Sequence, residues 1–424
     1  MDLGRSQKVM LFKFSAYGFL KNLRFFEPLL LLFLTVQKGL SYTEFGLLIG
    51  VREVFIWLLE IPTGIVADVT GRRRAMVLAF ASYLISFAIF SYAGSFWAFV
   101  PAMILFAAGE AFRSGTHKSM IMQHLDLEGL TGQRVHYYGY TRSMSRLGSA
   151  VAALGVGVFA FVGIGYDYIF PATMVPYALG LGLMLTYPAE LDGATERKKL
   201  LSAVWRHTAD SFKSLWQTAD LKRVVVNESI FDAFFKAAKD YLQPIVKTAA
   251  LGLPLLAAAG TQERTFLLVG AVYFVVYLNS FFSSRFSGHA ADRASDLARA
   301  LNGLFWAFAL GFCLVGTFYG RELAVPAIVV FFFFYTLYNL RKPMAIGYMS
   351  DLIPGRQRAT VLSVQSQVRA IFAAVVAPLL GWVADQPDLG IPWAFLLGGA
   401  ALLALGLLVR LRKLPEPAEG GPAA

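Results

Sequence analysis

The sequence predicts an all-α polytopic membrane protein, with twelve transmembrane helices in two six-helix bundles. Its 424 residues are 57% hydrophobic and 15% charged, with a mean hydropathy of +0.58. Soluble domains usually carry about 25% charged residues. Apolar runs of about 20 residues recur along the chain, each long enough to cross roughly 30 Å of hydrocarbon as a helix. They are too long and too rarely alternating for barrel strands. In lipid the backbone must satisfy its own hydrogen bonds, which leaves helices.

The first span, 10–36, is too long for a signal-peptide core, and no small-residue cleavage site follows it, so it is retained. Spans two to six are expected at 43–67, 75–94, 97–122, 135–162 and 167–188. Spans seven to twelve are expected at 223–250, 263–286, 296–317, 323–349, 357–384 and 391–410. Glycines and prolines mark the breaks, among them Gly71, Gly132, Gly260, Gly288, Gly320 and Pro387. The domains are an N-terminal bundle at 1–188, a cytoplasmic linker at 189–222, a C-terminal bundle at 223–413 and a disordered tail at 414–424. In the linker, Leu201, Trp205, Phe212, Leu215 and Trp216 fall near helical spacing. Two readings fit them: a helix lying on the membrane surface, or a flexible charged linker with a turn or two of helix.

Twelve spans put both termini on one side. Connections on that side hold twenty basic residues, among them Arg5, Arg72, Arg73, Arg74, Arg356, Arg358 and Arg412. The other side holds three: Lys38, Arg264 and Arg321. The basic side is therefore cytoplasmic, in a plasma membrane (the inner membrane of a bacterium). The net charge of +11 reports topology, not a nucleic-acid partner. Cys313 is the one cysteine, which excludes an internal disulfide and a cysteine metal site.

The halves look like repeats. Gly64-x-x-x-Asp68 follows span two, and Gly288-x-x-x-Asp292 follows span eight. Gly132-Gln-Arg134 opens span five, and Gly355-Arg-Gln-Arg358 opens span eleven. An arginine follows inside each of these two spans, at Arg146 and Arg369.

The loop Gly64-Ile-Val-Ala-Asp68-Val-Thr-Gly71-Arg72-Arg73-Arg74 resembles the signature loop of the major facilitator superfamily, roughly Gly-x-Leu-Ala-Asp-Arg-x-Gly-Arg-Lys/Arg. Gly64, Ala67, Asp68, Gly71, Arg72 and Arg73 fit. Val66 replaces the Leu, and Val69 replaces the usual basic residue. The second copy, from Gly288 to Arg293, lacks the later Gly and basic pair. Twelve spans, a central loop and both copies extend the resemblance over the whole chain. It implies secondary transport, with Asp68 latching the halves against Arg356 and Arg358 when the cytoplasmic side is closed. By symmetry Asp292 would face Arg134. The plainer reading is that Arg72, Arg73 and Arg74 only set topology. Proton-driven drug exporters of this superfamily carry a Gly-Pro-rich motif in span five. Here Gly148, Gly155 and Gly157 occur without proline, which suits close packing and removes support for that label.

Ionisable groups at membrane depth are costly and mark function by default. Bases there are Lys21, Arg24, Arg113, Arg142, Arg146, Lys236, Lys239, Arg341 and Arg369. Acids are Glu27, Glu60, Glu110, Asp232 and Asp240. Helical spacing pairs Arg24 with Glu27, Glu110 with Arg113 and Arg142 with Arg146, and aligns Asp232, Lys236 and Asp240. The basic surplus predicts a cationic cavity for an anion, built from Arg24, Glu27, Arg113, Arg146, Lys236, Asp240, Arg341 and Arg369. Arginine suits carboxylate or phosphate through its planar fork. The alternative is structural pairing between helices. Glu60, and after it Glu27, are the candidates to carry a coupling proton.

The function read here is secondary active transport of a small organic solute, leaning anionic. An exporter of amphipathic or lipid-like compounds is the second reading. An intramembrane enzyme or a transporter-like receptor is remote: HExxH is absent, no metal-ligand spacing occurs among the histidines, and no nucleotide-binding loop supplies ATP drive. No cofactor or metal is expected. The partners are a small-molecule substrate, membrane lipid and a coupling proton, and the chain is read as a monomer.

Overall fold

The computed structural model describes residues 4–130, 133–192, 219–254, 258–292, 296–352 and 358–412. These contain α1 (Arg5–Lys21), α2 (Glu27–Gln37), α3 (Tyr42–Thr70), α4 (Arg72–Tyr92), α5 (Phe96–Arg113), α6 (Thr116–Leu127), α7 (Arg134–Phe161) and α8 (Ile169–Leu185). There follow α9 (Ala219–Ala238), α10 (Leu242–Gly252), α11 (Thr261–Asp292), α12 (Leu297–Gly320), α13 (Ala324–Asp351), α14 (Arg358–Asp385) and α15 (Gly390–Leu408). Paired as α1–α2, α5–α6 and α9–α10, they form the twelve expected spans among the described residues.

Those three spans are broken where continuous helices were expected. Pro28 lacks an N–H and clashes one turn back. Span one accordingly leaves the helix at Asn22 and re-forms as a 3₁₀ turn at Glu27. Pro244 stands in the same relation to span seven, where Lys239–Tyr241 form a 3₁₀ turn. Spans one and seven are repeat partners, so the duplication extends to their breaks. In span four, Gly115 takes φ +75°, a left-handed conformation that ends α5.

We call the end where α1 begins proximal and the opposite end distal. The halves meet most closely toward the distal end. Along α3 and α14, a Cβ on Gly46 or Gly381 would strike the backbone of Ala377 or Tyr42, and one on Gly50 would lie 3.2 Å from the Ala374 carbonyl. In α11, a Cβ on Gly270 would come within 2.6 Å of the Gly157 backbone nitrogen of α7. Small residues permit this approach, as expected for the small-residue stretch of span five. Asp385, at the distal end of α14, accepts the backbone N–H groups of Tyr42 (2.8 Å) and Thr43 (2.7 Å) and the Thr43 hydroxyl. A C-half carboxylate thus caps an N-half helix. Toward the proximal end a Cβ on Gly64 or Gly139 would meet open space.

The linker differs from expectation at both ends. Its first residues, Ala189–Asp192, form a 3₁₀ turn against the N-half, and α9 starts at Ala219, a turn before 223. The linker's patterned stretch 201–216 and the tail 414–424 lie outside the described residues. After α15 the chain continues unwound. Asn227 donates to the Val409 carbonyl, Asn302 exchanges two bonds with Leu411, and Tyr348 donates to the Arg412 carbonyl.

Candidate functional site

Among the described residues, nine spans are long and apolar enough to cross a membrane. Span one falls short because its helix is broken into two short pieces, and spans two and seven because they carry charges. With span four, they line an inner cavity of about 190 Å³ between the halves. Arg24, Glu27, Lys236 and Asp240 of the expected site face it together. Arg52, Glu53, Glu110 and Lys239 line it too, so its charges balance, while Phe26 and Phe106 add an apolar wall.

Glu110 is the hub. It accepts from Arg24 at 2.5 Å, from Arg113 at 2.5 Å and from the Tyr83 hydroxyl at 2.8 Å. Arg24 sits in the break of span one, where no helix dictates its direction. It also donates to the Tyr177 hydroxyl at 2.7 Å, and Tyr177 in turn donates to the Lys21 carbonyl. Two cations share one carboxylate, and the Arg113 Nε is buried without a partner among the described residues.

Beyond this hub lies an outer cavity of about 450 Å³, walled by α1, α6 and α7. Lys21, Arg113, Lys118, Arg142 and Arg146 line it, and among the described residues no acid does. The basic surplus read from the sequence is concentrated here. Of the expected residues, Arg113 and Arg146 face this cavity, and Arg113 reaches the inner one through Glu110.

Charge also bridges the halves. Lys236 meets Glu53 at 2.7 Å, and Arg52 holds the other Glu53 oxygen at 3.1 Å. Gln243, fully buried, accepts from the N–H groups of Leu31 and Leu32 and donates to the Glu27 carbonyl. It therefore satisfies the backbone freed by the break in span one, as a buried break requires. The Glu27 carboxylate has no hydrogen-bond or ion-pair partner among the described residues.

Arg369 donates to Ser366 and lies within electrostatic reach of Glu53, Lys236 and Glu60. Glu60 faces Ser114 at the break of span four. Arg341 lines neither cavity. It is buried inside the C-half, bonded to Glu228 and Asn227 and stacked on Phe231 at 4.4 Å. Two acids from α9 thereby tie α9 to α13, since Lys342 also meets Asp232 at 3.4 Å.

The expected latch is only partly within view. Asp68 is exposed at the proximal end of α3. Arg356, and the side chains of Arg358 and Asp292, lie outside the described residues. Arg134 is bonded to Asp126 of its own half. Gly71, at φ +101°, packs on the Asp192 carboxylate, which accepts the Arg73 N–H at 2.7 Å. Arg73 donates to the Tyr187 carbonyl, and Arg72 to Gln123 at 2.5 Å. In this state the loop's first two arginines fasten the N-half to itself.

Arg52, Glu53, Tyr83, Lys118, Tyr177 and Gln243 join the expected residues at these cavities without having been expected from the sequence. Glu53 follows Arg52 directly, and adjacent helical residues do not share a face, so spacing gave no pair. Tyr177 and Gln243 are uncharged, and nothing in the sequence separates them from packing residues. Pro28 and Pro244 were the available signal for the breaks.

The family model for the Major Facilitator Superfamily matches residues 14–338. No curated protein matches the chain by sequence. Among solved structures, the nucleoside transporter NupG superposes with a TM-score of 0.76 at 10% identity, covering 94% of this chain and 98% of that one. A POT family transporter in complex with a thioalcohol-conjugated peptide gives 0.71 at 14% identity, covering 95% of each. A D-xylose–proton symporter gives 0.67 at 16%, covering 96% and 98%. At such identities the likeness shows the fold. With the family model spanning most of the sequence, the chain belongs to the Major Facilitator Superfamily and is a secondary transporter of that type, not an enzyme.

Proposed function

We propose that this transporter moves a small organic anion, with a carboxylate or phosphate group and an apolar part, by alternating access. The observation that carries the reading is the outer cavity, lined among the described residues by five bases and no acid. Field lines focused in such a cleft raise the local concentration of anions. The anion would reach Arg113 first and compete with Glu110 for it. Phe26 and Phe106 would receive the apolar part. An amphipathic compound without charge is the weaker fit, because the inner wall is mostly ionic. On this reading Arg24, Arg113, Arg146 and Lys236 contact substrate. Glu27 and Asp240 set the field of the inner cavity, and Arg369 extends it toward Glu60.

The basic end of the bundle is read as cytoplasmic, with both termini there, in a plasma membrane. On this reading Asp68, exposed at that end, is proposed to latch against Arg356 and Arg358 when the cytoplasmic side closes. Glu60 and Glu27 are proposed to carry a coupling proton, Glu60 because it lies beside the break in span four.

Uptake by purified protein in liposomes tests both parts. Arg113→Gln should raise the half-saturating anion concentration about tenfold to a hundredfold, the worth of one charge-assisted hydrogen bond. Wild-type kinetics in that variant would remove the anion assignment. Glu60→Gln should abolish the dependence of uptake on a pH gradient, and retained dependence would reject Glu60 as the carrier.

A further inference from the structure

A second basic site lies away from the transport pathway. At the proximal end of the C-half, a groove of about 680 Å³ runs between α9, α12 and the unwound segment after α15. Arg223, Arg299, Arg410 and Arg412 line it against a single acid among the described residues, Asp296. That carboxylate caps α12 by accepting the Arg299 N–H and meets the Arg299 side chain at 4.0 Å, so it offsets one arginine and leaves three. The groove therefore carries a strong excess of positive charge.

The segment is built to aim these charges. Leu411 is buried in the cluster formed with Leu221, Val225, Leu301 and Tyr348, while its neighbours Arg410 and Arg412 are exposed. With Leu411 anchored between them, Arg410 and Arg412 both line the groove. The bonds from Asn227, Asn302 and Tyr348 fix the backbone on either side. Four side chain–backbone bonds over four residues are more than an untethered terminus would keep.

Apart from Asn302, the rest of the groove is apolar. Leu407 and Leu408 are 71% and 76% exposed, and Trp306 is half-buried beside them. In a membrane-spanning helix such leucines face acyl chains, and Trp favours the headgroup level. Arginines at one level and acyl-facing leucines directly below match a phosphate joined to hydrocarbon.

We infer that this groove binds the phosphate headgroup of an anionic phospholipid from the proximal leaflet. The lipid would brace the C-terminal segment against α9 and α12 and so stiffen the C-half independently of substrate.

Full-length protein is reconstituted in nanodiscs of phosphatidylcholine, alone or mixed with phosphatidylglycerol. Thermal unfolding is followed by tryptophan fluorescence, and retained lipid is counted by native mass spectrometry. Phosphatidylglycerol should raise the unfolding temperature and remain bound to wild type. The double variant Arg410→Gln/Arg412→Gln should lose about tenfold or more in phosphatidylglycerol retention, since each basic group near a surface contributes about fivefold. Arg410→Lys/Arg412→Lys should keep most of it. If the double variant unfolds early in phosphatidylcholine alone, Arg299→Gln, whose side chain is 83% exposed, gives the same test with about a fivefold loss expected. Undiminished retention in the glutamine variants would overturn the assignment. Displacement of the lipid by an equal concentration of inorganic phosphate would also overturn it, because the ligand would then be a soluble anion.

Discussion

Glu110 holds two arginines at 2.5 Å with at most 27% of any of the three side chains exposed. Removing one partner of such a cluster leaves charge buried without compensation, a cost of about 3–5 kcal/mol. Glu110→Ala should therefore lower the unfolding temperature by several degrees, whereas Arg142→Gln, lining only the outer cavity, should leave it unchanged. Differential scanning calorimetry in one detergent decides this. The Glu110–Arg113 pair was legible in the sequence because both residues lie in one unbroken helix. Arg24 and Glu27 share the same spacing but do not pair, because the helix has already ended at Lys21. The stripe of Asp232, Lys236 and Asp240 parted for a related reason. Lys236 turns to Glu53 and Asp232 to Lys342, while the 3₁₀ turn rotates Asp240 onto Lys239. Gly71 makes a second test at this scale. A side chain there would need a left-handed backbone and would strike the Asp192 carboxylate within 3.0 Å. Gly71→Ala should destabilise by about 1–2 kcal/mol, and Asp192→Ala, which removes the obstacle but also a helix cap, by about 1 kcal/mol.

Among the elements, the lengths and order of the spans follow from hydropathy, which needs only local composition. The breaks do not, because apolar windows average over them, and a proline or glycine in a membrane helix is often accommodated. Breaks in spans one and seven gather at the inner cavity, where unwound backbone puts Arg24 and Asp240 in place, while Gly115 at the break of span four lines the outer cavity. Pro28→Ala should let span one close toward a continuous helix, redirect Arg24 and reduce uptake, with stability unchanged or raised. Uptake equal to wild type would show that the break has no part in positioning Arg24. The distal closure rests on the Asp385 cap across the halves. Charge-assisted hydrogen bonds contribute about 1.5–3 kcal/mol each, enough to shift the balance between open states. Asp385→Ala should widen the distance between spin labels placed at the distal ends of α3 and α14, and an unaltered distance distribution would remove this carboxylate from the closure.

For the whole molecule, two six-span halves pack closely toward the distal end, around cavities lined by charged side chains. The superfamily was legible in the loop from Gly64 to Arg74, but that loop carries no information about cargo. Cargo is read from the distribution of charge among spans that only the folded chain brings together. Thus Arg341, equivalent by composition to Arg113, sits sealed against Glu228, while Arg113 faces a cavity with no acid among its described lining. The most direct measurement is flux into proteoliposomes against a panel of organic carboxylates, organic phosphates and lipophilic cations of similar size, with and without a pH gradient. Saturable flux of at least one anion, absent for the cations and strongly weakened by Arg113→Gln, is the predicted result. Saturable flux of the cations alone, insensitive to Arg113→Gln, would contradict it.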